Sequence, residues 1–460
     1  MTPSPNQPFD GLRTEGDINL SVHRQAWQDG HLNADTKHLL AEDADCFLHQ
    51  AMSTPCLNAL QSAHGAWIED TEGRRYLDFH GNNVHQIGFG HPQVIAAIKE
   101  QLDQLSFCTR RYTNRTAVRL AQKLSALAPG DLNRALLAPG GASAIGIALK
   151  LVRAATGRFK TISLWDSFHG ASLDTISIGG ESAFRQNAGP LLPGCEHAPP
   201  PDPSHCPFRC GTACSYACAD YIEYMLEREG DVAAVIAETV RNVPVVPPPD
   251  YWKRIRAACD KHGALLVLDE IPIGLGRTGK FFAFEHFDVI PDIVVLGKGL
   301  GGGVFPLACI IAREGLNVAA QRSLGHYTHE KNPVACAAAL ATLQVIEEQQ
   351  LVARAASLGE KTVADLRRRL AGNPLVREVR GFGLLIGVEI SALNGSAVDN
   401  AERIMYSALR RGLSFKVSKG NVLTFAPPLN ITEAELDQAW TIITAAINEV
   451  QSARAPSSSR

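Results

Sequence analysis

An α/β fold built on a largely parallel sheet is the architecture that the sequence predicts, and three features predict it. Between about residues 80 and 320, segments of helical periodicity alternate with short apolar runs, as in sheets whose strands are joined through crossover helices. The runs are β-branched and apolar on both faces, as expected when helices cover both sides of the sheet. The chain, 460 residues long and 45% hydrophobic, is large enough to bury a substantial core in more than one domain.

In chain order, "HPQVIAAIKEQLDQL" reads as an amphipathic helix and "AIGIALKLVRAATG" as a second, followed by the strand "KTISLWDS". "VAAVIAET", the helix "YWKRIRAACDKHG", and the strands "ALLVLDEI", "DIVVLGKG" and "PLACIIARE" complete the alternation. After Asn332 a long helical stretch, "VACAAALATLQVIEEQQ", leads to the strands "FGLLIGVEI" and "GNVLTFAPP", which alternate with the helices "AERIMYSALRRG" and "TEAELDQAWTIITAAINEV". The expected organisation is therefore a large domain over 76–330 and a smaller one over 331–460, to which residues 1–75 contribute. The segment "PPPDPSHCPF" reads as a proline-rich surface loop and the tail "SARAPSSSR" as disordered.

A formal net charge of -3 supplies no basic field of the kind nucleic-acid binding needs. No window reaches the apolar length of roughly 18 residues that marks a membrane span, and the N-terminus lacks a basic region followed by an apolar stretch. The expectation is a cytoplasmic protein without nucleic-acid or membrane partners.

Eleven cysteines are spread through the chain, most of them alone in apolar segments, where they read as small buried hydrophobes. The exception is "HCPFRCGTACSYAC", where Cys206, Cys210, Cys214 and Cys218 recur every fourth residue. In a helix that spacing would line one face. Structural zinc sites instead pair cysteines across two to four residues and then leave a longer gap. The expectation is a cysteine-rich loop without a metal, leading into the helix "CADYIEYMLEREG".

Chemistry gathers at the carboxyl ends of the strands, where loops meet helix N-termini and their unpaired N–H groups. "LLAPGGASAIGIALKLVR" places Gly140, Gly141 and Ala142 before a helix, a turn that could hold a phosphate or simply start the helix. "SLWDSFHGASLD" ends a strand in Phe168, His169 and Gly170, a ring that suits a site mouth or a core. "ALLVLDEIPIGLGRTG" ends a buried strand in Asp269 and Glu270; an ionised carboxylate there costs several kcal/mol unless a cation or donors face it. "DIVVLGKGLGGG" ends the next strand in Lys298 among glycines. A lysine in a dry, glycine-lined setting becomes a nucleophilic amine fit to condense with an aldehyde. Taken together the four sequences suit pyridoxal 5'-phosphate: a lysine for its aldehyde, an acid for its ring nitrogen, N–H groups for its phosphate and a ring for stacking.

With those residues in place, the chain resembles the class III pyridoxal-phosphate aminotransferases. The similarity runs over roughly residues 55 to 450 and rests on ordered segments: "GFGHPQVIAAIKEQL", "FHG", "DEIPIGLGRTG", "GKGLGGGVFPLA" and "THEKNPVACAAAL". It implies fold type I, with a mainly parallel seven-stranded sheet in a large domain and a smaller α+β domain. It also implies that Lys298 bonds the cofactor's aldehyde, Asp269 pairs with the ring nitrogen, and Phe168 and Ile271 cover the two ring faces. His169 and Glu238 lie at the cofactor, Gly141 and Ala142 hold the phosphate, and Thr328 reaches that phosphate from a neighbouring subunit, so the expected assembly is a homodimer acting on a small-molecule amine.

The chain departs from the family pattern at Ser143, where the phosphate turn usually carries an acid, at Pro272, where a glutamine is usual, and at Thr424, where many relatives have arginine. These departures bear on how a carboxylate-bearing amino donor is handled. "EGDINLS", "STPCL", "DFHGNNVHQIGFGHP", "CTRRYTNR" and "GHYTHEKNP" are similar to the branch that contains the (R)-1-hydroxy-2-aminoethylphosphonate ammonia-lyase. In that branch Arg110 and Arg111 would face a phosphonate, whose oxygens suit guanidinium forks; read alone they equally form a solvated basic face.

Overall fold

A computed structural model describes residues 18–211 and 213–452. Most of the tail expected to be disordered lies outside the described residues. The chain divides into two compact units, the larger spanning Asn82–Ala355 and the smaller combining Met1–Gly81 with Ala356–Arg460. The expected boundaries at 75 and 330 fall before these breaks. The later break has a physical cause: the helix Pro333–Glu348 packs on the helices Pro92–Gln104 and Arg115–Leu127 of the larger unit.

The larger unit is built on a seven-stranded sheet of β1 (Leu132–Ala138), β2 (Lys160–Leu164), β3 (Cys195–Ala198), β4 (Val232–Glu238), β5 (Leu265–Asp269), β6 (Ile293–Leu296) and β7 (Ala308–Arg313), in the order β1-β7-β6-β5-β4-β2-β3. From β3 through β6 the pairing is parallel. β7 runs antiparallel to both β6 and β1. Every residue of β4 and β6 is buried, which is why these strands read as unbroken apolar runs. β1 and β3 do not stand out in the sequence: Asn133 and Arg134 of β1 are exposed, and β3 has four residues.

The helices α1 (Pro92–Gln104), α2 (Arg115–Leu127), α3 (Gly141–Thr156), α4 (Ala217–Glu229), α5 (Tyr251–His262) and α6 (Pro333–Glu348) belong to the same unit. α2 starts where the Asn114 side chain accepts the N–H of Ala117 at 2.8 Å, and buries Ala117, Leu120 and Leu124. That is one stripe of a helix, with a cap of the kind whose loss costs about 1 kcal/mol. α3 buries Ile145, Ile147, Ala148, Leu149 and Val152 against Ile236 of β4, Val267 of β5 and Val295 of β6. It stops at Gly157, whose φ of 69° a residue with a Cβ rarely adopts.

In the smaller unit Leu60–His64, Trp67–Asp70 and Arg75–Asp78 form an antiparallel meander, extended in parallel by Leu413–Ser414. A second antiparallel sheet joins Val376–Phe382, Leu385–Ile390, Val422–Phe425 and Lys416–Ser418. Phe79 and Phe425 meet Trp440 edge to face at 5.5 and 5.4 Å, so a residue near position 80 and two beyond position 420 share one core. Among the described residues no helix is long and apolar enough to cross a membrane.

Candidate active site

The carboxyl ends of β4, β5 and β6 lie side by side. Glu238 stands opposite Asp269, and Asp269 opposite Val295, three residues before Lys298. Lys298 opens the short 3-10 turn Lys298–Gly301 with φ 45°. A left-handed backbone at a residue with a side chain costs about 1–3 kcal/mol and persists only where the surroundings impose it. Those surroundings are explicit: a Cβ on Gly299 would stand 2.8 Å from Gln86 Cγ, and Gln86 donates to the Gly274 carbonyl at 3.0 Å. Gln86 in turn accepts from the guanidinium of Arg277 at 2.8 Å. Arg277 is fully buried, and burial lowers its pKa to about 9.

Asp269, 1% exposed, ends β5 with both oxygens engaged. Oδ2 lies 2.8 Å from His169 Nδ1, and Oδ1 accepts the Ile271 N–H at 3.0 Å. An ionised carboxylate only accepts, so the proton of this pair sits on Nδ1 of the histidine. His169 is itself buried, and its Nε2 is 3.4 Å from Ser163 Oγ. The compensation that a buried acid requires at this strand end is thus an imidazole donor and a backbone N–H.

Glu238 accepts the Phe168 N–H at 3.4 Å and has Arg241 Nε at 3.8 Å. Burial pushes its pKa up, against the opposing pull of Arg241 and His169. Glu270 has a different task. Its carboxylate accepts from Thr239 Oγ1 and from the N–H groups of Ala283 and Phe284 at 2.7–2.8 Å, tying down the turn after β5. Burial raises its pKa from 4.5 to about 7. Between those values the folded chain holds a proton that the unfolded chain has released, so Glu270 makes stability fall as pH rises through that window. Glu270→Gln is expected to flatten the fall in melting temperature between about pH 5 and 7, measured by thermal unfolding, relative to the parent chain.

Ile271 joins the glycine turns. A Cβ on Gly141, the first residue of α3, would stand 2.9 Å from Ile271 Cδ1, and one on Gly297 3.2 Å from Ile271 Cγ2. Gly170, at φ 131°, is pressed on Ala142, where an added Cβ would meet the alanine Cβ at 2.8 Å. Gly141, Ala142, His169, Asp269, Ile271, Glu238 and the turn of Lys298 are therefore drawn into one cluster. Phe168 is half-buried and its ring lies 4.5 Å from that of Phe184.

Thr328, Arg110 and Arg111 belong to the larger unit and are all three exposed. Arg110 Nη2 is 2.8 Å from His326 Nε2, and Asn114 donates to the Lys331 carbonyl at 3.0 Å, so the segments carrying Arg110 and Thr328 run together on the surface. Beside Thr328, Tyr327 donates through its hydroxyl to the Ser143 carbonyl at 3.4 Å in the first turn of α3. Gln86, Arg277 and Tyr327 are the residues that sequence reading did not single out. A glutamine and an arginine inside the glycine-rich and apolar "NNVHQIGFG" and "GLGRTG" segments were the available signal.

These residues fit pyridoxal phosphate. They offer a buried carboxylate oriented by a histidine, a 16-residue helix whose first N–H groups have no partner within the helix, glycines where a side chain would fill the cradle, and a lysine at the end of the adjoining strand. Asp269 would hold the ring nitrogen, Gly141 and Ala142 the phosphate, Phe168 and Ile271 the ring, and Lys298 the reactive carbon.

Sequence comparison agrees with that fit: the class-III aminotransferase profile matches residues 49–447, and the chain belongs to this family of pyridoxal-phosphate enzymes. It is 48% identical to the (R)-1-hydroxy-2-aminoethylphosphonate ammonia-lyase of Vibrio splendidus, over 95% of this chain and 96% of that one. It is 36% identical to the acetylornithine aminotransferase of Methanopyrus kandleri, over 83% of this chain and 92% of that one. Among solved structures, the PLP-bound amine transaminase of an uncultivated Pseudomonas species superposes with a TM-score of 0.80 at 30% identity, covering 88% of this chain and 99% of that one.

Proposed function

We propose that this chain is an ammonia-lyase that converts (R)-1-hydroxy-2-aminoethylphosphonate to phosphonoacetaldehyde and ammonia. The observation that carries the reading is the 48% identity, end to end, with the Vibrio splendidus lyase. The cofactor, when bound, supplies an electron sink for the carbon that bears the amine. Lys298, at the strand end beside Asp269, acts as the base that takes the proton from that carbon. Asp269, oriented by the imidazole of His169, would hold a negative charge against the ring nitrogen. With the electron pair released, the hydroxyl of the neighbouring carbon leaves, and water hydrolyses the resulting enamine to the aldehyde and ammonia.

The expected result with the hydroxy-aminophosphonate is steady release of ammonia and aldehyde without any keto acid. Turnover only with pyruvate or 2-oxoglutarate would overturn the lyase reading in favour of amino-group transfer, the activity named for many members of the family. Thr424, buried in the strand Val422–Phe425, and Pro272 stand where transaminases usually carry polar groups for that exchange.

The working unit in this reading is a homodimer in the cytoplasm, a compartment with which eleven free cysteines agree. Thr328 supplies the neighbouring subunit's phosphate site, while Arg110 and Arg111 grip the phosphonate. Their support is position: Arg110 and Thr328 are exposed, and Arg110 Nη2 reaches His326 Nε2, two residues before Thr328, at 2.8 Å. Mixed dimers of Thr328→Ala and Lys298→Ala chains would contain one intact site if the contact crosses subunits. Recovery of roughly half the activity expected for the mixed-dimer population is the predicted outcome; no recovery would refute the crossing.

A further inference from the structure

The four cysteines between β3 and α4 take no part in the site above, and their placement differs from a helical stripe. Cys206 lies in a turn closed by the Arg209 N–H on its own carbonyl at 3.0 Å. Arg209, at φ 54°, and Gly211, at φ 69°, then reverse the chain. This reversal brings Cys210 Sγ to 3.5 Å from Cys206 Sγ. Ser215 Oγ stands 3.1 Å from Cys210 Sγ, and the Tyr216 N–H reaches Cys214 Sγ at 3.4 Å. Cys218 alone is helical, and it is buried. Among the described residues no group of three or more His, Cys, Asp or Glu is arranged to hold a metal ion. What remains is a close, partly exposed pair of thiols on a surface loop.

We propose that Cys206 and Cys210 form a dithiol modification site for low-molecular-weight disulfides, with Cys210 as the attacking thiol and Cys206 as the resolving one. The Cys210 thiolate attacks one sulfur of oxidised glutathione, forming a mixed disulfide and expelling one glutathione thiolate. Cys206 then gives up its proton and attacks Cys210 Sγ, closing an intramolecular disulfide and expelling the second glutathione. Two protein thiols and one glutathione disulfide become one protein disulfide and two glutathione thiols, so electrons and protons balance. The two sulfurs already stand 3.5 Å apart, against a bonding distance of about 2.05 Å.

The assignment of the attacking sulfur rests on its surroundings. The hydroxyl and backbone N–H of Ser215 favour the thiolate of Cys210 and lower its pKa from 9.0 to about 7. Cys218, desolvated by burial, is pushed the other way, to about 11. At neutral pH the larger thiolate fraction of Cys210 outweighs its lower intrinsic nucleophilicity by roughly fivefold.

The experiment uses the cofactor-loaded full chain in oxidised glutathione at pH 7, quenched by alkylation and mapped by peptide mass spectrometry. The expected product is a Cys206–Cys210 cross-link that forms about fivefold faster than the exposed Cys46 is glutathionylated, and that reduced glutathione reverses. In Cys206→Ser, one glutathione should accumulate on Cys210; in Cys210→Ser, Cys206 should react no faster than Cys46. A mixed disulfide that fails to accumulate in Cys206→Ser, equal reaction at Cys46, or a cross-link from Cys210 to Cys214 instead would each overturn the assignment. So would zinc that copurifies stoichiometrically and shields both thiols.

Discussion

Lys298→Ala is expected to lower turnover by roughly ten-thousandfold, the upper range for loss of a positioned general base, and to leave no cofactor attached to the denatured chain after borohydride reduction. Two observations set the size of the effect. The lysine is half-buried two residues past the end of β6, in a left-handed conformation between Gly297 and Gly299, a position that an amine offered by a neighbouring side chain would not share. The strand-end partners Asp269 and Glu238 are fixed by sheet register and remain in place when the amine is removed. Added methylamine can replace the missing base only in part. A mutant chain that still retains reducible cofactor would place the reactive lysine elsewhere.

Gln86 allows the lysine's function to be separated from its support. Its amide bonds the Gly274 carbonyl and Arg277, and its stem fills the space that a side chain at position 299 would need. A defect in Gln86 would therefore appear in the conformation of the lysine turn, with Asp269 unchanged.

The strand-end residues were legible because sheet burial leaves a strong imprint. β4, β5 and β6 are buried almost throughout, so an acid at the last position or a lysine just past it breaks an apolar run and is seen at once. β1 gave a weaker imprint because part of it faces solvent, and the antiparallel direction of β7 is not written in periodicity, since both directions share the same alternation. The histidine beneath Asp269 was visible as a motif member, but its bond spans a hundred residues and depends on two strand ends meeting. The cysteine-rich segment forms the loop its proline- and glycine-containing sequence suggested, with Arg209 and Gly211 at positive φ folding it back before the helix Ala217–Glu229. Family resemblance alone supplied Thr328 and the arginine pair, because exposed polar residues on loops leave no imprint in an apolar pattern.

Asp269→Asn is expected to keep the cofactor bound and the fold intact while lowering kcat by about 10²–10³-fold, the loss typical when one preorganised charged group is taken from a dry site. The substitution preserves shape. Its amide oxygen can still accept from His169 Nδ1 or from the Ile271 N–H, which the carboxylate now does at 2.8 and 3.0 Å. What disappears is the net negative charge in a position 1% exposed, where solvent cannot replace it and where electrostatic interactions are strongest. A proton on the ring nitrogen of the bound cofactor would lose its counter-charge, so the electron sink would weaken although the side-chain shape and one of the two accepting contacts survive. Because the defect lies in the chemical step, kcat should fall with little change in KM, and the visible spectrum of the bound cofactor should shift while its stoichiometry stays at one per chain. Near-parental kcat in Asp269→Asn would show that the charge at this strand end is structural, and loss of bound cofactor would show that its role is retention.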